Sequence, residues 1–96
     1  MNKVNQLILD CMARVLRIDQ TTDAEILFQF SHTNAFECYG WKNGYSNAVL
    51  EQDCEYPDRD FDPLGHSISL KYDDAETELK KLLASLDALE KELMTK

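Results

Sequence analysis

Basic residues are scarce in this 96-residue chain: ten Lys and Arg stand against eighteen Asp and Glu, for a formal net charge of −8. A field of that sign repels phosphate backbones and anionic lipid, so direct binding to DNA, RNA or a membrane is disfavoured. Long apolar runs are also missing. No stretch approaches the roughly 20 residues that span a bilayer, and no leading stretch joins basic residues to a long apolar run. A soluble, cytoplasmic protein is expected. With three glycines there is no glycine-rich phosphate loop, and neither a Gly-x-Ser-x-Gly elbow nor a His-Glu-x-x-His pair is present. Cys11, Cys38 and Cys54 are an odd number at wide spacing, which excludes a disulfide framework and fits reduced thiols. No Cys-x-x-Cys joins them to His32 or His66, so neither a zinc site nor any other metal or cofactor is expected. An enzyme is not expected either.

What is present suffices to fold. Hydrophobic residues make up 44% of the chain, enough to argue against disorder despite 29% charged residues. One α+β domain over residues 1–96 follows, because a chain of this length has room for a single core. The charge is unevenly placed. Between Asp19 and Glu78 stand fourteen acidic residues against Lys42, Arg59 and Lys71, while both ends of the chain are slightly positive.

Periodicity supplies the elements. Val4, Leu7, Ile8, Cys11, Met12 and Val15 recur at i, i+3, i+4 and i+7, which predicts a helix over 3–17. Ile26, Phe28 and Phe30 alternate with Glu25, Leu27 and Gln29, which predicts a strand over 24–30. A turn at Ser31 to Asn34 leads to strands over 35–42 and 45–52 that flank Asn43-Gly44, the dipeptide best suited to a two-residue type I′ hairpin. In that hairpin Lys42 faces Tyr45, Trp41 faces Ser46, Tyr39 faces Ala48 and Cys38 faces Val49. Residues 51–67 hold both prolines and a dense set of carboxylates and read as an acidic loop. Residues 67–72 are a candidate fourth strand. Asp73, with Glu76 three residues on, resembles a capping box opening a helix over 74–94. The expected architecture is a three- to four-stranded antiparallel sheet after one helix, with a long C-terminal helix packed on the sheet.

That last helix carries Leu79, Leu82, Leu86, Leu89 and Leu93 in alternating steps of three and four, the seam of a coiled coil. Leu83 widens the stripe, which suits packing within the chain, whereas self-association would use the seam to make a homodimer. The acidic loop is the main candidate site. Glu51, Asp53, Glu55, Asp58, Asp60 and Asp62 are interleaved with Tyr56 and Phe61, and Tyr39, Trp41 and Tyr45 lie at the tip of the expected hairpin. The plain reading is a solvated loop that keeps the protein soluble. The sharper one is that spaced carboxylates imitate a phosphate track and dock on a basic nucleic-acid groove, with the aromatics as anchors. Asp58, Asp60 and Asp62 have the spacing of the first calcium-loop ligands, but Pro63 stands where that loop needs glycine and Ser69 replaces its closing glutamate.

Phe28 to Phe30, the turn Ser31-His32-Thr33-Asn34, Phe36 and Gly40-Trp41 together resemble a pattern in small accessory proteins of bacteriophages and prophages. Small acidic proteins of that kind are similar in character to inhibitors of host defence, including anti-CRISPR proteins. The resemblance implies a stoichiometric inhibitor in the cytoplasm of a bacterial host, whose partner is a CRISPR effector or other nuclease with a basic nucleic-acid-binding surface. Two alternatives are a homo-oligomeric phage assembly protein using the leucine seam, and a sponge for a small defence nucleotide. The second requires Arg14, Arg17 or Lys71 to converge.

Overall fold

The computed structural model describes residues 3–30, 35–65, 67–70 and 74–95. It contains, in chain order, α1 (Lys3–Thr21), β1 (Glu25–Phe30), β2 (Ala35–Trp41), α2 (Tyr45–Gln52), β3 (Ile68–Ser69) and α3 (Ala75–Met94). The fold is α+β, with an N-terminal helix, a three-stranded antiparallel sheet in the order β1-β2-β3 and a long C-terminal helix.

α1 forms because its apolar positions fall on one face: Cys11, Val15 and Ile18 are buried, with Val4, Leu7 and Ile8 packed beside them. It runs past the expected end at residue 17 because Ile18 is fully buried. Two threonines close it, Thr21 and Thr22 donating their hydroxyls to the carbonyls of Arg17 and Ile18 at 2.7 Å. The sheet obeys the period of two. Ile26 and Phe28 of β1 share a face with Phe36, Cys38 and Gly40 of β2, in the register Ile26↔Gly40, Phe28↔Cys38 and Phe30↔Phe36. That face turns toward the helices, where Phe36, Cys38, Ile18, Cys11, Leu79, Leu82, Leu86 and Leu89 make one core. Burial of this set is the main favourable contribution to folding.

The leucine seam is thus used inside the chain. Leu79, Leu82 and Leu86 are fully buried, Leu89 nearly so, and Leu93 is partly buried against the same cluster. No such seam is left for a zipper between copies. α3 begins at Ala75 with Asp74 as its N-cap, one residue after the expected Asp73, which lies outside the described residues. Glu76 and Glu78 in its first turn suit the positive end of the helix dipole.

The largest departure concerns residues 45–52, which form the helix α2 and not the second arm of a hairpin. Gly44 has φ 90° and ψ 153°, which is not a type I′ geometry. The backbone N–H of Tyr45 is satisfied at 3.1 Å by Glu25 Oε1, a carboxylate from the far edge strand. A side chain added at Gly44 would lie 2.9 Å from the Asp23 carbonyl oxygen, so the turn packs where only glycine fits. The expected pairing of Trp41, Tyr39 and Cys38 with residues 46–49 therefore does not exist. β2 instead pairs with β1 along its length and with β3 at Ala35↔Ser69 and Phe36↔Ile68. Of the candidate fourth strand over 67–72, Ile68–Ser69 forms the third strand, while residues 71 and 72 lie outside the described residues.

Candidate protein-binding face

With Phe36, Cys38 and Gly40 turned inward, the pleat sends Glu37, Tyr39 and Trp41 to the outer face of the sheet, where Tyr39 pairs with Leu27 and Trp41 with Glu25. α1 and α3 pack against the opposite, inward face. α2 then sets Tyr45 edge-on to Trp41, with ring centres 4.9 Å apart at 78°, while Tyr39 lies 6.2 Å from Trp41 on the other side. The aromatic group expected at a hairpin tip is present, held by a helix start.

The acidic loop closes over this group. Asp53 takes a left-handed conformation at φ 51°, tolerable for Asp, and ends α2. Gln52 then binds Asp58 twice: its amide nitrogen donates to the Asp58 carbonyl at 3.0 Å and its amide oxygen accepts from the Asp58 N–H at 2.7 Å. This clamp turns the intervening backbone onto the aromatics. Trp41 Nε1 donates to the Pro57 carbonyl at 3.3 Å and the Tyr45 hydroxyl donates to the Glu55 carbonyl at 2.5 Å. Arg59 continues the contact, its guanidinium carbon 3.8 Å from the centre of the Tyr39 ring, a cation–π geometry. The result is a hollow of 340 Å³ between Tyr39, Trp41 and Tyr45 on one side and Tyr56 to Arg59 on the other. Tyr56 forms its rim and is 82% exposed.

The six loop carboxylates are not brought to a single face. Asp58 lines the aromatic hollow, whereas Asp60 and Asp62 line a cleft toward Lys42, Leu89 and Glu92. Asp60 accepts the Lys42 backbone N–H at 2.8 Å and Asp62 accepts that of Gly65 at 3.2 Å, so both also shape the loop. Glu51, Asp53 and Glu55 are exposed. Among the described residues none of the six makes an ion pair. Phe61 does not belong to this surface. It is 8% exposed within the core, and its backbone bridges Gly40 through bonds of 2.8 and 3.2 Å. Gly40 permits a close approach on its other side, since a Cβ there would lie 2.1 Å from the Glu25 carbonyl oxygen.

Arg14, Arg17 and Lys42 pair with carboxylates of α3. Arg14 pairs with Asp87 at 2.5 Å, Arg17 holds both oxygens of Glu90 at 2.5 Å and Lys42 reaches Glu92 at 3.1 Å. The Arg17 hydrogen bonds hold the Glu90 carboxyl below its ordinary value and raise Arg17 above its own. The convergence of Arg14 and Arg17 needed for a nucleotide sponge is met by carboxylates, and Lys71 lies outside the described residues. Burial pushes the thiols of Cys11 and Cys38 up, to about 11 and about 12, which leaves them protonated and poor nucleophiles; Cys54 is exposed. Among the described residues no three His, Cys, Asp or Glu side chains are grouped to hold a metal ion, and no helix is long and apolar enough to cross a membrane. Ser31 to Asn34 and His66 lie outside the described residues.

Comparison with known proteins adds no relative: no family model, no curated protein and no solved structure matches the chain.

Sequence reasoning named Tyr39, Trp41, Tyr45, Tyr56 and Asp58 for this face, and missed Gln52, Pro57 and Glu25. Gln52 and Asp58 stand six residues apart with no pattern linking them, and Glu25 is twenty residues before the amide it caps. Only the closed loop reveals these roles.

Proposed function

We propose that this chain acts by binding another protein, laying its acidic aromatic face on a basic surface. The observation that carries the reading is the joining of an open aromatic hollow to a loop whose carboxylates make no ion pair among the described residues. Aromatic rings that keep one face open supply contact area at low entropic cost, and they are enriched among the residues that dominate interface energy. Unpaired carboxylates around them steer a basic partner and disfavour acidic ones.

The resemblance to phage accessory proteins makes the proposal more specific. The partner is a bacterial host nuclease, in the most concrete form a CRISPR effector, and the chain occupies its nucleic-acid channel as a stoichiometric inhibitor in the host cytoplasm. Competition for that channel requires no catalysis and no cofactor.

The test is a binding titration against candidate effectors in which displacement of a labelled nucleic acid is read at rising salt. Glu55→Lys with Asp58→Lys is the informative variant, because neither carboxylate takes part in the hydrogen bonds that shape the loop. It is expected to slow association about tenfold at low salt, with the gap closing as salt screens the field. Displacement that ignores both the reversal and the salt would remove the acidic face from the mechanism.

A further inference from the structure

β1 is an edge strand. Its inner side pairs with β2, and among the described residues nothing pairs with its outer side. Edges of this kind are ordinarily blunted by lysine, proline, a bulge or short length. Glu25–Phe30 has six residues, no Lys, no Pro and an unbroken register. Beside it α1 presents a second apolar stripe, distinct from its core face. Leu9, Met12 and Leu16 recur at i, i+3 and i+7 and are 47%, 40% and 57% exposed. An apolar hollow of 260 Å³ runs between Met12 and Leu16 on the helix and Leu27 and Phe28 on the strand. Phe30 shares the inward face of the sheet yet is 46% exposed, since among the described residues nothing reaches past the edge to cover it.

We propose that this edge and helix flank form a self-association surface that joins two copies of the chain through paired β1 strands into a continuous six-stranded sheet. Charge selects the occupant. Copies of a chain with net charge −8 repel one another wherever their carboxylates meet, and along this flank they are sparse. On α1 it shows Asn5, Leu9, Met12 and Leu16 and ends at the exposed Asp19, three residues past Leu16, and β1 adds a single charge, Glu25. A basic partner would find carboxylates here only at one end, Asp19 and Glu25.

Symmetry completes the fit. A two-fold axis normal to an antiparallel sheet pairs only residues of like parity, because residues facing one another across a ladder share a face. Centring the axis on Phe28 pairs it with its copy and sets Ile26 against Phe30. The exposed Phe30 is then covered by the neighbouring core face. Both α1 helices fall on the same side of the joint sheet, which brings the two Leu9, Met12 and Leu16 stripes together.

The proposal is tested on the whole chain by sedimentation equilibrium, from micromolar to millimolar protein, with β1 amide hydrogen exchange in parallel. A monomer–dimer equilibrium is expected, with β1 amides slowing as the dimer forms. Leu16→Glu alters an exposed position and leaves the core untouched; it should raise the dimer Kd about thirtyfold. Phe30→Lys, which lowers the net negative charge, should weaken the dimer similarly despite the reduced repulsion. Leu50→Lys, on the exposed side of α2, should change nothing. A monomer at every concentration overturns the proposal. So does a dimer indifferent to Leu16→Glu and Phe30→Lys when circular dichroism shows both variants folded.

Discussion

The α1–α3 layer and the lobe formed by β2, α2 and the loop after it differ in how each satisfies its charges and its apolar groups. In the helical layer, leucines close onto a dry core while Arg14 and Arg17 of α1 meet Asp87 and Glu90 of α3. In the lobe, four aromatic rings gather on the outer face of the sheet and, among the described residues, the six loop carboxylates make no ion pair. Apart from the exposed Leu9, Met12 and Leu16 flank of α1, the first arrangement leaves little for a partner. The second leaves unsatisfied surface of two complementary kinds, which is what a docking face requires.

The sharpest way to break this comparison is at the core. Leu86→Ala should lower the free energy of unfolding by about 3 kcal/mol, read from urea denaturation, because a fully buried side chain leaves a cavity. Below its unfolding midpoint the variant should bind a partner with unchanged affinity. Trp41→Ala should invert the pattern. Loss of the ring from the centre of the hollow should weaken partner binding by about 2 kcal/mol, roughly thirtyfold, while costing less stability than Leu86→Ala. If Trp41→Ala proves the more damaging to folding, the lobe is a second core and the division fails.

The smallest expected effect lies in the ion pairs. Glu90 is held below its ordinary value by Arg17, so it stays ionised in the folded chain at pH values where the unfolded chain has begun to take up its proton. Its contribution is therefore complete above the ordinary carboxylate range and is lost as the pH falls through its lowered value. Arg17→Gln should remove that component. The stability difference between the parent and this variant should shrink on acidification, a trend that urea melts at several pH values would expose. Screening by solvent keeps the effect small.

Legibility followed the same division. The outer elements were readable because a long amphipathic segment repeats its pattern often enough to fix a period: the expected helices at 3–17 and 74–94 correspond to Lys3–Thr21 and Ala75–Met94. The strands at 24–30 and 35–42 correspond to Glu25–Phe30 and Ala35–Trp41 for the same reason, with alternation in place of the helical repeat. Residues 45–52 gave no such signal. α2 has eight residues, buries only Ala48 and is preceded by a dipeptide that normally makes a hairpin. The bond that opens it is accepted by Glu25, and nothing local to Tyr45 announces an acceptor on another strand. The site was legible as a set of residue types and not as an arrangement. Phe61 shows the limit, since an aromatic residue among carboxylates reads as an anchor until the fold carries it inward.

Composition and periodicity by themselves determined an acidic α+β domain with two long helices, an antiparallel sheet and a loop dense in carboxylates. These depend on hydrophobic burial and local geometry, which act along the chain at short range. Tertiary structure alone decided that residues 45–52 are helical, that the leucine seam closes on its own core, and that β1 lies at the edge of the sheet. It also decided that Tyr39, Trp41, Tyr45 and Tyr56 share one hollow. Each of those outcomes depends on groups far apart in sequence meeting in space.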